Sequence, residues 1–402
     1  MTNEQTFFLR ALADHLAGEK TTVPADLDWN RLLEYAQSQQ VGGMLYHQCK
    51  DYLAASPELA AVNQRLSEVY AAHTFYYLNR MALLEQIEKA FTEAQIPYYI
   101  VKGSEIAQLY PVPALRSMGD TDIVVHERDK QRAHALLVGM GMENTLQKDR
   151  EWGYIKNGLL FELHHNLLYD EIANSKKDKA FTDCAWDYTL RQLESSRCVL
   201  DWSFHFVFLI LHLKKHFLIS GVGFRQFMDI ALIASKKEKQ LDWKWINSSL
   251  RDLGLLDYAV ACMAFCKRWF HMDFPTVKEN VEEDFFFSST EKIFEDGIFG
   301  SAEDSRDNII LNALRKENSN LIAAKILVLL HFVFPSYKNM RYIQHYSFLN
   351  GRPWLLPIAW VYRFVRVIQY SLFSRGKEKL NEVMNIDEKM NSRKQILNKW
   401  GL

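Results

Sequence analysis

Cysteine is scarce and follows no pairing pattern. Cys49, Cys184, Cys198, Cys262 and Cys266 are the full set, and none forms a CxxC pair. An odd, scattered set argues against a disulfide framework and for reduced thiols used as small buried hydrophobes. An excess of one charge is also missing. Lys plus Arg number 48 against 49 Asp plus Glu, a net charge of −1. Such a balance gives no global pull towards nucleic acid or anionic lipid, so a nucleic-acid partner is disfavoured. Long apolar runs are absent as well. A spanning helix needs about 18 uncharged apolar residues. The nearest windows, 321–334 and 353–373, are broken by Lys325 and by Arg363 and Arg366. The start of the chain lacks the basic and apolar regions of a signal peptide. These absences predict a soluble, cytoplasmic protein without stable membrane insertion. Neither a fixed-period repeat nor a low-complexity segment occurs.

What is present is an ordinary globular mixture, rich in aromatics: 48 % apolar, 24 % charged, 13 % aromatic over 402 residues. That length predicts roughly two to three domains. Residues 1–95 read as helix. Segment 4–17 has apolar residues at helical spacing and stops at Gly18, and 29–40 is a second helix. Ser56-Pro57 reads as a cap followed by a first-turn proline, opening a segment to Ala94 with no further Gly or Pro. The pattern changes after Pro97. Tyr98-Tyr99-Ile100-Val101 is a short β-rich run, followed by a brief helix over 105–110. Residues 121–125 form a second apolar run, and 127–140 another helix. Segments 152–155 and 159–163 read as strands around the hairpin pair Asn157-Gly158. After Asn166 the pattern returns to helix, with periodic segments at 203–219, 224–235, 243–253 and 256–270. The last third, 309–402, is helical and leans basic.

Chemistry concentrates in residues 100–125, IVKGSEIAQLYPVPALRSMGDTDIVV. A strand ends in Gly103-Ser104, where a helix begins. Free amides and the dipole at such a start suit a phosphate, and glycine permits close approach. Asp120 and Asp122 then precede Ile123-Val124-Val125. Strand alternation puts both carboxylates on one face, about 6.6 Å apart along the backbone. Two converging carboxylates need a counter-charge, and magnesium is the natural one for hard oxygen ligands.

This arrangement resembles the nucleotidyltransferase superfamily of the DNA polymerase β type. The longer string, Lys-Gly-Ser through Leu-Tyr-Pro, Arg and Met-Gly-Asp-x-Asp, looks like its uncharacterised bacterial branch with helical flanks. Fifteen residues, 105–119, separate Ser104 from Asp120, slightly more than is usual, and the Pro111-Val112-Pro113 turn absorbs the excess. The resemblance implies an α+β fold: a small mixed-sheet nucleotidyltransferase core embedded between mainly helical N- and C-terminal regions. The domains expected are a helical region 1–95, a catalytic domain 96–200 and a helical domain 201–402. A third acid on a neighbouring strand is also implied. Glu162 fits, as metal ligand or as base towards an incoming hydroxyl, and it shares a strand face with His164. Asp120, Asp122 and Glu162 would hold two Mg²⁺ ions, with Mn²⁺ an alternative. Gly103, Ser104 and Lys102 would meet the phosphates of an NTP, ATP foremost, together with Arg116, which sits where the branch also carries arginine. Lys102 and Arg116 read equally well as structural ion-pair partners of the acids. The acceptor is left open among protein, sugar and small molecule. A binding module without turnover, antitoxin-like, is the alternative function.

A second cluster is His205, His212 and His216. On a helix they fall in a stripe about 40° wide. His212 and His216 alone have zinc-ligand spacing, and a polar seam docking the helix on the catalytic island is the favoured reading over metal. The resemblance implies that this helix and the following Arg225-x-x-x-Asp229 lie beside the nucleotide, making Arg225 a further candidate contact. Near the C-terminus, the aromatic, basic segment 354–375 reads as a packed helix with a snorkelling edge, a membrane-surface role being the alternative.

Overall fold

The computed structural model describes residues 1–147, 151–167, 175–219, 221–272, 274, 281–298, 334, 337–340, 344–349, 351–371 and 395–402. Residues 1–302 with 400–402 form one compact unit, and residues 303–399 a second. The first unit is α+β. Four helices come first: α1 (Asn3–Ala17), α2 (Trp29–Ser38), α3 (Gly42–Ala54) and α4 (Ala60–Glu93). Then β1 (Tyr98–Val101), α5 (Gly103–Ala107), β2 (Asp122–Val125) and α6 (Lys130–Gly139) follow. The meander β3 (Glu143–Gln147), β4 (Glu151–Lys156) and β5 (Leu159–His164) leads to α7 (Lys176–Asp183), β6 (Thr189–Arg191) and β7 (Arg197–Leu200). The unit continues through α8 (Trp202–Ile219), α9 (Phe224–Lys236), α10 (Trp243–Leu253), α11 (Leu256–Phe270) and α12 (Glu283–Asp296).

The seven strands form one mixed sheet in the order β3-β4-β5-β2-β1-β7-β6. β2 runs parallel to β5 and β1 parallel to β7, while β1 and β2 are antiparallel. Both faces of the central strands are covered, so they read as continuous apolar runs rather than as alternation. Tyr98, Ile100, Ile123, Phe161 and Leu163 pack with Leu83, Ile87 and Phe91 of α4 and with α6. Tyr99, Val101 and Val124 pack on the other face with Phe204 and Phe208 of α8. Asn157 and Gly158 turn the β4–β5 hairpin with φ of 52° and 74°. That is the left-handed turn which an Asn-Gly pair accommodates.

Helix α3 falls within the region expected to be helical and opens on Gly42-Gly43, a close-packing pair. A Cβ on Gly43 would stand 2.8 Å from His73 Nδ1, and one on Gly42 3.0 Å from Val69 Cγ1. Ser56 is not a side-chain cap. Pro57–Leu59 forms a short 3₁₀ turn, and Ser56 Oγ donates to Tyr52 O at 2.9 Å. The chain does not stay helical after Asn166: α7 is followed by β6 and β7 before α8 begins. β7 is short and is stabilised by pairing with β1, a partner nearly a hundred residues away.

In the second unit, Met340, Tyr346, Leu349 and Ala359 form a small buried cluster. The helix Leu356–Ser371 buries Ala359 and leaves Ile358, Val361 and Tyr362 exposed. Of the expected packed helix, the side chains from residue 364 onward, Arg366 among them, and Arg375 lie outside what is described. Among the described residues, no helix is long and apolar enough to cross a membrane.

Candidate active site

The site is built where β1 ends. Lys102 leaves the strand with φ 59° and ψ −127°. Positive φ is uncommon for a residue with a Cβ and has to be held by its surroundings. Three bonds hold it. The Lys102 N–H donates to His205 Nε2 at 3.0 Å, and its carbonyl accepts from the Ile106 N–H at 3.0 Å. Its Nζ pairs with Asp122 Oδ2 at 2.9 Å. Gly103 opens α5 directly afterwards. A Cβ there would lie 3.5 Å from Arg116 Nη1 and 3.6 Å from Asp120 O, so the loop over 116–120 folds closely over this turn. Ser104 is buried. Its hydroxyl faces Thr121 Oγ1 at 3.5 Å and Met118 Sδ at 3.9 Å.

The acids gather beside this turn. Asp122 opens β2 opposite Val101 and, on its other side, opposite Glu162 of β5. His164, two residues further along β5, reaches the same face. Its Nε2 is 3.1 Å from Asp122 Oδ1 and 3.3 Å from Glu162 Oε2. Asp122, Glu162 and His164 thus each offer a ligand atom within 4.8 Å of the others. Asp120 ends the loop just before the strand and feels the charges of both Asp122 and Glu162.

The electrostatics separate the two aspartates. Burial raises the Asp120 carboxyl above its ordinary range, and the like charge of Asp122 adds to this, with Lys102 opposing. Burial would raise Asp122 too. Lys102 and the hydrogen bond from His164 outweigh it and hold Asp122 well below the ordinary range. His164 is raised although burial alone would lower it, because Asp122 and Glu162 both accept from it. Acids with such different environments divide labour in many active sites.

A cleft of about 380 Å³ opens over the acids, and Lys102, Asp120, Asp122, His212, His216 and Arg225 are among its lining residues. Helix α8 therefore lies against the turn and strands that carry the acids. His205 is buried and serves as acceptor for Lys102, while His212 and His216 face the cleft with rings 4.5 Å apart. Among the described residues, the one group with metal-ligand geometry is Asp122, Glu162 and His164, so His212 and His216 gain no third ligand.

Burial lowers His205 to about 4, and it lowers His15, packed against His47, to about 4 as well. Below the ordinary histidine value the unfolded chain takes up protons that these folded side chains refuse. Their contribution is fully present above pH 6.5 and is lost as pH falls towards 4. For His205 this amounts to about 3 kcal/mol at full effect. We expect His205→Gln to flatten the fall in melting temperature between pH 6.5 and 4. An unchanged acid limb would show that other groups drive it.

Arg116 and Arg225 differ from each other in a way their sequence setting conceals. Arg116 is buried and forked onto Asp229, with Nε to Oδ1 at 2.8 Å and Nη2 to Oδ2 at 2.6 Å. Tyr110 donates to the same carboxylate at 2.8 Å. Asp229, four residues after Arg225 on α9, is thus taken up by Arg116 and Tyr110. Arg225 Nη1 donates instead to the Ser117 carbonyl and to Ser117 Oγ, the latter at 3.1 Å. Sequence reasoning also missed Arg80 on α4. It is buried and donates to Thr121 Oγ1 at 2.6 Å and to the carbonyls of Leu160, Met118 and Gly119. Those bonds fix the loop that delivers Asp120. Nothing in the helical pattern of α4 distinguishes Arg80. The pairing of His164 was foreshadowed only by its shared strand face with Glu162.

A family model described as uncharacterised nucleotidyltransferase matches residues 25–271, which contain the whole sheet, the turn, the acids and α8. No curated protein and no solved structure matches the chain.

Proposed function

The chain belongs to the uncharacterised nucleotidyltransferase family, and on that premise we propose that it transfers a nucleoside monophosphate from an NTP to a hydroxyl acceptor, with release of pyrophosphate. The observation that carries this reading is the register of Asp122 against Glu162 on parallel neighbouring strands, with Asp120 beside them and the Lys102-Gly103-Ser104 turn next door. The donor chemistry fits a hard divalent cation. Asp122 and Glu162 share one strand face with His164, and Asp120, raised by burial and then by the charge of Asp122, stands within reach of their field; that repulsion is the kind a cation relieves. Bound Mg²⁺, or Mn²⁺ given the imidazole of His164, would supply Lewis-acid neutralisation of the phosphate charge.

The chain's own residues do the rest. Asp120, Asp122 and Glu162 are the cation ligands. Lys102 is held over Asp122, where its ammonium can turn to an incoming phosphate oxygen. Gly103 lines the same cleft, and the buried Ser104 hydroxyl faces Thr121 and Met118 behind it. Arg225, on the opposite wall, is the guanidinium free of a bidentate carboxylate partner, and we assign it the phosphate contact in preference to Arg116. Arg116 orients the loop through Asp229. Glu162 takes the proton of the attacking hydroxyl. ATP is the expected donor. Catalysis is then mostly positioning and charge neutralisation.

The test is incubation of the full chain with each α-labelled NTP, Mg²⁺ and cell lysate, followed by calorimetry of NTP binding. Arg225→Ala is expected to weaken Mg²⁺–NTP binding at least tenfold with a small change in melting temperature. Normal binding by folded Arg225→Ala would return that residue to a purely structural role. Absence of both label transfer and NTP binding in the wild type would refute the reading.

A further inference from the structure

Beside the acid cleft lies a larger hollow of about 660 Å³, walled by helices α2, α3 and α4. We propose that this hollow is the acceptor subsite and that it takes a neutral polyhydroxylated ring, a saccharide; the proposal rests on the transferase reading above.

Position is the first argument. Gln40, Arg116, Met118 and Gly119 line both the hollow and the acid cleft. Gly119 is exposed, and a Cβ on it would meet nothing within 4 Å, so the shared wall is low where it adjoins Asp120. An acceptor seated in the hollow can extend a hydroxyl over Gly119 towards the acids. The volume suits a ligand of one to a few rings.

Charge is the second argument. The two arginines in the floor are already engaged, Arg80 on Thr121 and backbone carbonyls, Arg116 on Asp229. At the exposed rim, Arg65 and Glu68 carry opposite signs three residues apart on α4. An anionic polymer needs several uncommitted cations, and this lining does not supply them. A neutral acceptor fits it.

Side-chain chemistry supplies the class. Tyr76 is 48 % exposed at the hollow, and Tyr77 stands beside it with its hydroxyl accepting from Gln108 Nε2 at 2.9 Å. Flat aromatic rings with polar tips pack the C–H face of a sugar ring. Gln37 is exposed and Gln40 half-buried at the same wall. Each amide carries both a donor and an acceptor, which suits a hydroxyl-bearing ligand. An extended peptide, by contrast, is held by main-chain bonds at a strand edge, and helices wall this hollow. In the transfer, a saccharide hydroxyl oxygen bonds the α-phosphorus while the bond from that phosphorus to the bridging oxygen breaks. Pyrophosphate leaves with the electron pair, and the hydroxyl proton passes to Glu162.

The experiment uses the full chain with Mg²⁺ and a non-hydrolysable ATP analogue. Glucose, N-acetylglucosamine and maltose are the probes, read by saturation-transfer NMR, with calorimetry of the analogue in parallel. We expect at least one saccharide to receive saturation in the wild type. The signal should fall at least fivefold in Tyr76→Ala and in Gln37→Ala, return in Tyr76→Phe, and leave analogue affinity unchanged throughout. With α-labelled ATP, the label should appear on that saccharide. Normal analogue binding without saccharide saturation, or saturation indifferent to Tyr76→Ala, overturns the acceptor assignment and leaves the transferase reading standing. Label on a seryl or tyrosyl peptide or on an oligonucleotide, in place of the saccharide, also overturns it. Failure of every nucleotide to bind overturns the transferase reading, and the acceptor role with it.

Discussion

Asp229→Ala is expected to destabilise the chain by about 3–5 kcal/mol, the cost of leaving a buried ion without its partner. Asp229 is buried and accepts three bonds, two from the Arg116 fork and one from Tyr110. Removing it strands a guanidinium that has little water around it, and orphans a buried phenol as well. Arg116 follows the 3₁₀ turn Pro113–Leu115 and begins the loop to Asp120, so its release also loosens the delivery of the acids. Urea unfolding measures the loss. The double variant Arg116→Met/Asp229→Ala should regain most of it, because the uncompensated charge is gone. A single variant within 1 kcal/mol of wild type would show that the pair is not structural.

The two aspartates of the Asp-x-Asp pair are expected to respond in opposite directions. Asp120→Asn should raise the melting temperature of the metal-free protein, since the native carboxylate there is disfavoured by burial and by Asp122. Asp122→Ala should destabilise the fold by about 3 kcal/mol or more and lower the melting temperature, because Lys102 loses its buried counter-charge. Both should lose the Mg²⁺-dependent stabilisation that NTP confers, and any transfer activity should fall on the order of 10³-fold. This is the pattern of a site that sacrifices stability for function. Calorimetric scans with and without Mg²⁺–NTP separate the effects. Equal destabilisation by both substitutions would mean that Asp120 is a structural residue.

Divalent cation itself should shift the stability of the wild type. If Asp120, Asp122 and Glu162 share it, millimolar Mg²⁺ should raise the melting temperature, and the shift should vanish in Asp120→Asn. A shift that survives in this variant would place the cation elsewhere.

Much of the site was legible because its chemistry is local in sequence. Gly103-Ser104 and Asp120-x-Asp122 stand within twenty residues; strand alternation was expected to give both acids one face, but Asp120 stands in the loop before β2 and only Asp122 is on the strand. Glu162 was legible as a charged residue in an otherwise apolar strand, since such a residue needs a partner. Helix α8 was legible because gathering three histidines on one face has a cost that only a neighbour repays. The roles of Arg116 and Arg225 were not legible, because a guanidinium's partner depends on which element crosses it. Arg225 and Asp229 stand four apart on α9, yet Tyr110 and Arg116 approach Asp229 from a loop more than a hundred residues earlier. Arg80 was invisible for the same reason.

The sequence by itself determined the mixed α+β character, the hairpin at Asn157-Gly158 and the residues that meet at the acids. Those features follow from periodicity, turn chemistry and the cost of charge beside apolar strands, all local physics. Only the tertiary structure decided that Lys102 and His164 neutralise Asp122, that His205 holds the Lys102 turn, and that β7 extends the sheet beside β1. It alone opened the hollow between α2, α3 and α4, where Gly42 and Gly43 bring two helices close. Each of these depends on surfaces far apart in the chain, and their pairing is set by which contacts bury most while leaving no charge alone.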